Sequence, residues 1–303
     1  MLPPAEYVRD SAAMSRVWSP SESLAYTRWL ATHHYENFHV VSFLLPKRLH
    51  QDFYNVYSFC RWADDLGDEL GDKAESLRML AWWQEELDAM YAGETRHPVF
   101  TALRGTAERY AIPRQPFADL IRAFVQDQTV PRYDTWDGVL DYCVYSANPV
   151  GRLVLYLCGY SDAERQRLSD RTCTALQLAN FWQDVTVDLL KDRVYIPLEV
   201  MTRNHYTVED LFAHRMNENF RQVMIEIIGR ARELFLEGLP LAHKVDRRLA
   251  IDLDLFSRGG MHVLKKIEQQ NYDVLSRRPA ISKLERVGLL LASVARMSLR
   301  RAA

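Results

Sequence analysis

Two pairs of aspartates, each with its members four residues apart, lie far from each other in a chain with strong helical patterning. The first pair is Asp64 and Asp68, and the second pair is Asp184 and Asp188. Residues four apart on a helix lie on the same face, so the two carboxylates of a pair repel each other unless a positive charge lies between them. We therefore predict that each pair lies on a helix whose acidic face meets a cation.

The apolar residues before the first pair indicate which way its helix faces. They recur at spacings of three and four residues and form one stripe, made of Leu49, Phe53, Val56, Tyr57 and Cys60. Asp64 and Asp68 continue this stripe, which predicts that they point inward, and Arg61 lies beside them. Carboxylates on a core-facing stripe are costly unless they are paired or bind a metal.

The second pair lies in a similar pattern. One helical face carries a mixed set of polar, aromatic and acidic residues, namely Gln177, Asn180, Phe181, Asp184 and Asp188. A single aspartate pair is usually surface charge. Two pairs that both lie on inward faces favour a functional site instead.

Carboxylate oxygens suit Mg²⁺, which typically binds through one or two carboxylates together with substrate phosphates. Two acidic helices that face each other would form a metal cage for a diphosphate. The predicted metal ligands are the four aspartates of the two pairs, with Asn180 as a neutral oxygen ligand.

Composition narrows the class of protein. The chain has 303 residues, of which 48% are hydrophobic, enough for a large core. A net charge of −2 gives no reason to expect nucleic acid as a partner. The four cysteines never form a Cys-x-x-Cys pair, which is typical of buried thiols in a reducing compartment. We see no signal-peptide pattern at the first residues and no apolar run of transmembrane length, so we expect a cytoplasmic protein.

Helical periodicity dominates from residue 21 onward, and no segment alternates as a strand would. Pro46 opens the helix with the first aspartate pair. Further helices are predicted over residues 73–91, 99–110, 115–127, 136–145, 150–157, 162–190, 208–214, 218–239, 247–270 and 282–299. No linker is long or polar enough to separate two domains. We therefore predict one all-α domain over residues 1–303, a helical bundle with a central active-site cavity.

A longer series of motifs contains both pairs. In chain order it comprises His34-Tyr35-Glu36-Asn37-Phe38, Tyr57-x-x-x-Arg61-x-x-Asp64-Asp65-x-x-Asp68, Tyr142-Cys143, Val150-Gly151, Gln177-x-x-Asn180-x-x-x-Asp184-x-x-x-Asp188, Asp192-Arg193-Val194-Tyr195-Ile196-Pro197, Tyr272-Asp273-Val274-Leu275 and Arg278. With this series, over roughly residues 32–291, the chain resembles the squalene/phytoene synthase family. The resemblance implies a helical isoprenoid synthase fold, Mg²⁺, and prenyl diphosphate substrates.

The resemblance also implies roles for individual residues. Catalytic roles fall to the four aspartates, Arg61 and Tyr57. Substrate-binding roles fall to His34, Asn37, Phe38, Tyr145, Val150, Gly151, Gln177, Phe181, Lys191, Arg193 and Tyr195. Several of these residues also have an ordinary structural interpretation: an ion pair for Arg61, solvated loop charges for Lys191 and Arg193, and core packing for the aromatic residues.

Within the family, the chain resembles the bacterial hydroxysqualene synthases of hopanoid biosynthesis. It carries Gln183 where an arginine is usual, and Glu36 where some members have a basic residue facing a second diphosphate. Less positive charge fits a site that handles one diphosphate. The predicted reaction is therefore the Mg²⁺-dependent conversion of presqualene diphosphate to hydroxysqualene, without NADPH.

Two other functions stay open at this stage. The first is a head-to-head condensing synthase that uses two prenyl diphosphates to make presqualene diphosphate, squalene, dehydrosqualene or phytoene. The second is a non-catalytic helical protein whose acidic clusters bind a metal or a partner.

The end of the chain suggests a further partner. Basic residues are interleaved with leucines there, namely Arg277, Arg278, Lys283, Arg286, Arg296, Arg300 and Arg301 with Leu289, Leu290 and Leu291. This pattern is compatible with peripheral contact to the inner membrane, and equally with the charged outer face of a packed helix. Other enzymes of the same pathway are further candidate partners.

Overall fold

The computed structural model describes residues 1–33 and 45–299, and the fold prediction is confirmed there as all-α. These residues form sixteen α-helices and two short 3₁₀ helices, Lys47–Leu49 and Leu239–His243. The extended pairing among them is a single parallel bridge between Arg132 and Val194. The predicted substrate-binding residues His34, Asn37 and Phe38 lie outside the described residues.

The helices α1 to α16 are, in chain order, Pro4–Tyr7, Ser11–Ser15, Pro20–His33, His50–Asp68, Lys73–Tyr91, Pro98–Arg109, Gln115–Thr129, Trp136–Ser146, Asn148–Leu157, Ala163–Gln183, Val185–Leu189, Leu198–Arg203, Val208–Phe212, Glu218–Gly238, Arg247–Gln269 and Lys283–Leu299. The longer helices begin and end within two residues of their predicted bounds, apart from the one predicted over 162–190 and the start of α4. Pro46 is followed by the 3₁₀ helix Lys47–Leu49, and α4 begins at His50. The short helices α1, α2 and α12 have too few turns to show periodicity in the sequence. None of the helices described is long and apolar enough to cross a bilayer.

The chain folds into two compact units. The first contains Met1–Thr129 and Arg152–Ser161, and the second contains Val130–Gly151 and Asp162–Ala303. The first aspartate pair belongs to the first unit and the second pair to the second unit. A single domain with a central cavity stays a prediction.

In the first unit, α4 packs against α3, α5, α6 and α7. The core around it is aromatic: Trp62 of α4 stacks on Trp83 of α5 with ring centroids 5.0 Å apart, and Phe59 packs edge-on against Phe117 at 4.9 Å. The buried side of α4 is thereby fixed by large rings. Asp64 and Asp68 lie at the edge of this buried side and are partly exposed.

In the second unit, α10 packs closely on α14 and α15, because glycines stand where the helices meet. A Cβ atom on Gly238 would lie 2.2 Å from Thr172 Oγ1, and one on Gly260 would lie 2.2 Å from the ring of Phe235. Both distances are shorter than any ordinary contact, so a side chain at either position would force the helices apart. This packing holds the α10 segment that leads to the second aspartate pair.

The predicted continuous helix over residues 162–190 is wrong in one respect, because it breaks at Asp184. This residue ends α10 and precedes α11, with φ −107° and ψ 17°. Its N–H still donates to Asn180 O, and its own carbonyl accepts from Val187 and Asp188. The β-branched run Val185-Thr186-Val187 follows directly, and such residues fit a helix poorly.

Candidate active site

The first aspartate pair lies at the border between the buried and the exposed sides of α4. Tyr57, Cys60, Asp64 and Asp68, at spacings of three and four residues, are all partly exposed. The earlier part of the stripe, through Val56, is buried. The prediction that the pair continues the buried stripe is therefore wrong in part: the stripe leaves the core at Tyr57. Half-accessible carboxylates on a helix can still receive a ligand.

Arg61 supplies the positive charge beside the first pair. Its Nη2 lies 2.6 Å from Oδ1 of Asp65, and its Nη1 lies 3.5 Å from Oδ2 of Asp64. The Asp65 side chain is 5% exposed, whereas the Asp64 side chain is 46% exposed. The predicted structural ion pair of Arg61 is thus formed mainly with Asp65, the aspartate between Asp64 and Asp68. Asp64 stays accessible.

Burial sets the pKa values on this face. It raises the pKa of Asp65 to about 6, against the opposing effect of Arg61, and raises the pKa of Cys60 to about 12. It also raises the pKa of Tyr57, so this hydroxyl keeps its proton at neutral pH and can donate a hydrogen bond. Among the described side chains, Arg61 Nε is buried without an acceptor. The guanidinium therefore retains an unused donor.

The second aspartate pair has a different cation. Arg278, from the loop before α16, contacts Asp184 through two nitrogens: Nε donates to Oδ1, and Nη2 donates to Oδ2 at 3.1 Å. This pairing raises the pKa of Arg278, and the Asp184 side chain is only 15% exposed. The sequence motif contained Arg278 but gave it no role beside the second aspartate pair. Its separation of 94 residues from Asp184 carried no signal of contact.

Gln183 is hydrogen-bonded to the loop that contains Arg278. Its Nε2 donates to the carbonyl of Pro279 at 2.6 Å. The residue that stands in place of the family's usual arginine is therefore a neutral amide engaged with backbone. It supports the loop of Arg278 and adds no charge.

Asp188 lies with other predicted site residues around one small crevice of about 10 Å³, room for about one water molecule. Phe181, Arg193 and Tyr195 line it as well. The chain turns sharply here, because Arg193 N donates to Asp188 O at 3.0 Å and Asp192 has φ 55°. The structure thus brings four of the predicted residues of the second unit together.

Arg132 fixes the turn that carries Lys191 and Arg193. Its Nη2 lies 2.5 Å from Asp192 Oδ1, and its Nη1 donates to the Asp192 carbonyl. Val194 N also donates to Pro131 O at 2.9 Å. Lys191 is exposed and Arg193 is partly exposed. Two cationic side chains are thereby presented next to Asp188 by a firmly held turn.

The aromatic residues of the second unit stack on one another. The rings of Phe181 and Tyr195 are nearly parallel, at 5°, with centroids 3.7 Å apart, and Tyr142 lies 5.6 Å from Tyr195. Both stacked residues are buried. Phe181 and Tyr195 therefore belong to a packed aromatic cluster. Their accessible atoms are those that line the crevice.

The remaining predicted residues are spread over three helices. Gln177 is partly exposed and Asn180 is exposed on α10, in line with Asp184. Tyr145 is partly exposed near the end of α8. Gly151 lets α9 approach α10, since a Cβ there would lie 2.3 Å from Ser169 Oγ. Its neighbour Val150 is partly exposed.

The residues on both segments fit Mg²⁺ in their donor chemistry, since they offer carboxylate and amide oxygens. Within residues 1–33 and 45–299, no three His, Cys, Asp or Glu side chains are grouped so as to hold a metal ion. Each aspartate pair offers two carboxylates, and Mg²⁺ typically uses one or two when phosphate oxygens complete its shell.

The sequence profile described as squalene/phytoene synthase matches residues 31–285 of this chain. The chain belongs to this family. Its members are isoprenoid synthases that act on prenyl diphosphates.

Relatives within the squalene/phytoene synthase family carry two different names at similar identity. The phytoene synthase of Thermus thermophilus is 33% identical over 85% of this chain and 87% of its own length. The hydroxysqualene synthase of Rhodopseudomonas palustris is 34% identical over 88% of this chain and 89% of its own length.

Solved structures support the fold. The crystal structure of squalene synthase HpnC from Alicyclobacillus acidocaldarius is 44% identical, with a TM-score of 0.80 over 84% of this chain and 95% of that chain. A dehydrosqualene synthase crystallised with a ligand has a TM-score of 0.82 at 23% identity, over 92% of this chain and 98% of that chain. The predicted isoprenoid synthase fold is therefore confirmed.

Proposed function

We propose that this enzyme converts presqualene diphosphate to hydroxysqualene with release of diphosphate, in squalene and hopanoid biosynthesis. The observation that carries the proposal is the contact between Gln183 Nε2 and Pro279 O. Gln183 is neutral and hydrogen-bonded to the backbone, whereas the arginine usual in the family would add a positive charge at this position. The 34% identity to a hydroxysqualene synthase and the 44% identity to squalene synthase HpnC agree with it.

Charge balance supplies the physical argument. A site that condenses two farnesyl diphosphates must balance two diphosphate groups, whereas a site for presqualene diphosphate handles one. A hydrogen bond to a charged group contributes about 1.5–3 kcal/mol, so one guanidinium fewer disfavours a second diphosphate by a similar amount. Glu36, outside the described residues, would lower the positive charge further.

In the proposed reaction, the carbon–oxygen bond to the diphosphate breaks and the diphosphate leaves with the electron pair. Arg61, Lys191 and Arg193 supply positive charge to the oxygens of the leaving group, and Tyr57 donates a hydrogen bond from its protonated hydroxyl. Mg²⁺, held by the four aspartates with Asn180, would neutralise the remaining charge on the diphosphate.

The carbocation then rearranges and is captured by water. The water oxygen forms the new carbon–oxygen bond and its proton passes to the released diphosphate or to solvent, so no reductant is needed. The accessible wall of the Phe181 and Tyr195 stack can stabilise the cation. Of the side chains suited to hold the water, Asn148 already accepts a hydrogen bond from Thr174 Oγ1 at 2.9 Å. Tyr145 and Asn148 are both candidates among the described residues, since the amide nitrogen of Asn148 can still donate.

A condensing synthase is the second candidate function. The 33% identity to a phytoene synthase favours it. It predicts the consumption of two farnesyl or geranylgeranyl diphosphates and the accumulation of a cyclopropyl diphosphate or a hydrocarbon. The non-catalytic interpretation has no comparable support, because the family consists of enzymes.

The deciding experiment offers farnesyl diphosphate and presqualene diphosphate separately to the purified enzyme with Mg²⁺, with and without NADPH, and identifies the products. We expect hydroxysqualene from presqualene diphosphate alone, unchanged by NADPH. Rapid turnover of farnesyl diphosphate by itself would refute the proposal and support the condensing synthase. Squalene formed only with NADPH would refute the predicted independence from reductant.

A further inference from the structure

The last helix, α16, is attached to the second unit by one side. At its beginning, Glu285 accepts from Lys266 Nζ at 2.8 Å and lies 3.1 Å from His262 Nε2. Near its end, Arg296 Nη2 donates to Asp254 at 3.0 Å. Ion pairs at both ends thus fix which side of α16 faces α15. The opposite side faces away from that helix.

The side of α16 that faces away from α15 is apolar. Its exposed residues are Leu284, Val287, Gly288, Leu291 and Ala295, which fall within an arc of about 100° at 3.6 residues per turn. Leu284 is 85% exposed, Val287 55% and Leu291 64%. We call Leu284, Val287 and Leu291 the outer face. The ordinary pattern for a helix at a protein surface places charged residues there.

Positive charge lies beside the outer face. Lys283 and Arg286 are exposed along one edge of it. On the other side, a groove of about 480 Å³ between α15 and α16 has apolar walls from Met261, Leu289 and Ala292 and basic residues at its rim, among them Lys265. The one acidic residue of α16, Glu285, is engaged by Lys266. Aliphatic side chains flanked by basic ones match the pattern of helices that lie in a membrane interface.

We propose that the outer face of α16 docks on the surface of an anionic lipid bilayer. The aliphatic side chains would enter the boundary between headgroups and acyl chains, and Lys283 and Arg286 would contact lipid phosphates. This goes beyond the proposed reaction and does not depend on it.

A second copy of the chain fits this surface less well. A stable protein interface takes about 20–30 residues from each partner, many more than the outer face offers. A symmetric dimer would also bring Lys283 and Arg286 near their own copies, where like charges repel. Lipid phosphates complement the same charges.

The test is flotation of the full-length protein, without substrate, with vesicles of phosphatidylcholine and with vesicles of phosphatidylcholine and phosphatidylglycerol at about 3:1. We expect binding to the anionic vesicles that weakens as salt is raised. L284N/L291N should bind at least about tenfold more weakly, since polar amides replace the inserting side chains. K283Q/R286Q should bind anionic vesicles about twenty-five-fold more weakly, from about a fivefold loss for each basic residue.

The matched control is V17N, because Val17 is an equally apolar side chain, 91% exposed, that precedes α3. It should bind as the unchanged protein does. The replaced leucines are exposed, so the variants should keep the same helical circular dichroism and melting temperature. The single variant V287N tests the same face if the double variant melts early, with an expected loss of several-fold in binding.

Three results would overturn the proposal. The first is no binding of the unchanged protein to anionic vesicles. The second is binding that L284N/L291N and V287N leave intact. The third is a dimer in light scattering that L284N/L291N dissociates, without vesicle binding, which would assign the outer face to a second copy of the chain.

Discussion

The two aspartate segments differ in where their positive charge comes from. In the first, Arg61 belongs to the same helix as the carboxylates that it contacts, three and four residues away. In the second, Arg278 comes from a loop 94 residues further along the chain and holds Asp184 through two nitrogens. Asp64 is left half-exposed, whereas Asp184 is largely covered.

This difference has a consequence for ligand binding. A ligand can reach Asp64 from solvent, because its side chain is 46% exposed and Arg61 lies closer to Asp65, at 2.6 Å, than to Asp64, at 3.5 Å. Asp184 must exchange at least part of its contact with Arg278 when a metal or a diphosphate arrives. We therefore expect ligand binding and rearrangement of the protein to be coupled at the second segment.

The largest expected effect comes from removing one carboxylate of either segment. Asp64→Asn and Asp184→Asn should each lower turnover by about a thousandfold or more, because each removes a ligand that helps to neutralise the leaving group. Glu69→Gln, at the exposed position after Asp68, is the control and should stay near full activity. Steady-state kinetics with circular dichroism checks this. Full activity of either variant, or of the unchanged enzyme after exhaustive chelation, would contradict the metal assignment.

Arg278→Gln removes the cation that contacts the second aspartate pair. We expect turnover to fall by about a hundredfold, since a cation next to the leaving group is lost. Mn²⁺, used as a spectroscopic substitute, should bind about fivefold more tightly in the absence of diphosphate, because Asp184 no longer has a competing partner. Electron paramagnetic resonance of free Mn²⁺ measures this. Arg277→Gln, at the adjacent exposed arginine, is the control, and equal Mn²⁺ affinity in both variants would refute the coupling.

The aromatic packing beside the first aspartate pair includes a buried histidine, so the free energy of unfolding should depend on pH. His97 is buried against Trp62 of α4, with ring centroids 4.3 Å apart, and burial lowers its pKa well below 6.5. Below pH 6.5 the unfolded chain therefore takes up a proton that the folded chain does not. The free energy of unfolding should fall by up to about 1.4 kcal/mol per pH unit as the pH drops.

Replacing His97 by Gln should remove this contribution to the slope of the free energy of unfolding against pH. Denaturant unfolding between about pH 6.5 and 5.5 compares the two slopes, whatever the stability of the variant at neutral pH. Identical slopes for the unchanged protein and H97Q would show that His97 does not resist protonation.

The smallest expected effect is on the loop of the second segment. Gln183→Ala removes the hydrogen bond to Pro279 and should lower the free energy of unfolding by about 1 kcal/mol and turnover by several-fold. If Gln183 acts by placing Arg278, the double variant Q183A/R278Q should be no slower than R278Q alone. If turnover in the double variant fell by the product of the two single losses, Gln183 would act independently of Arg278.

The local features of the fold were predictable from the sequence. Helix α5 covers the predicted residues 73–91, because Asp72 caps its first turn by accepting from Glu75 N. Ser19 and Glu22 cap the start of α3, near residue 21 where the helical periodicity begins, with Ser19 N donating to Glu22 at 2.9 Å. Both signals lie within four residues of the boundary that they set.

The arrangement of the candidate site was less predictable. Periodicity placed Asp64 and Asp68 on the apolar stripe, but the core covers Asp65 instead, because Trp62 and Leu66 turn that side of α4 inward. The break at Asp184 and the pairing with Arg278 depend on contacts between distant segments. A helical pattern contains no information about such contacts.

We propose that each of the two aspartate segments takes part in binding diphosphate and divalent metal. The most direct measurement is Mn²⁺ binding, by electron paramagnetic resonance, with and without inorganic diphosphate, in the unchanged protein, Asp64→Asn and Asp184→Asn. We predict that diphosphate tightens Mn²⁺ binding by at least about tenfold in the unchanged protein, since phosphate oxygens complete the metal's shell. Either substitution should abolish most of this gain. A gain that survives both substitutions, or no gain in the unchanged protein, would contradict the claim.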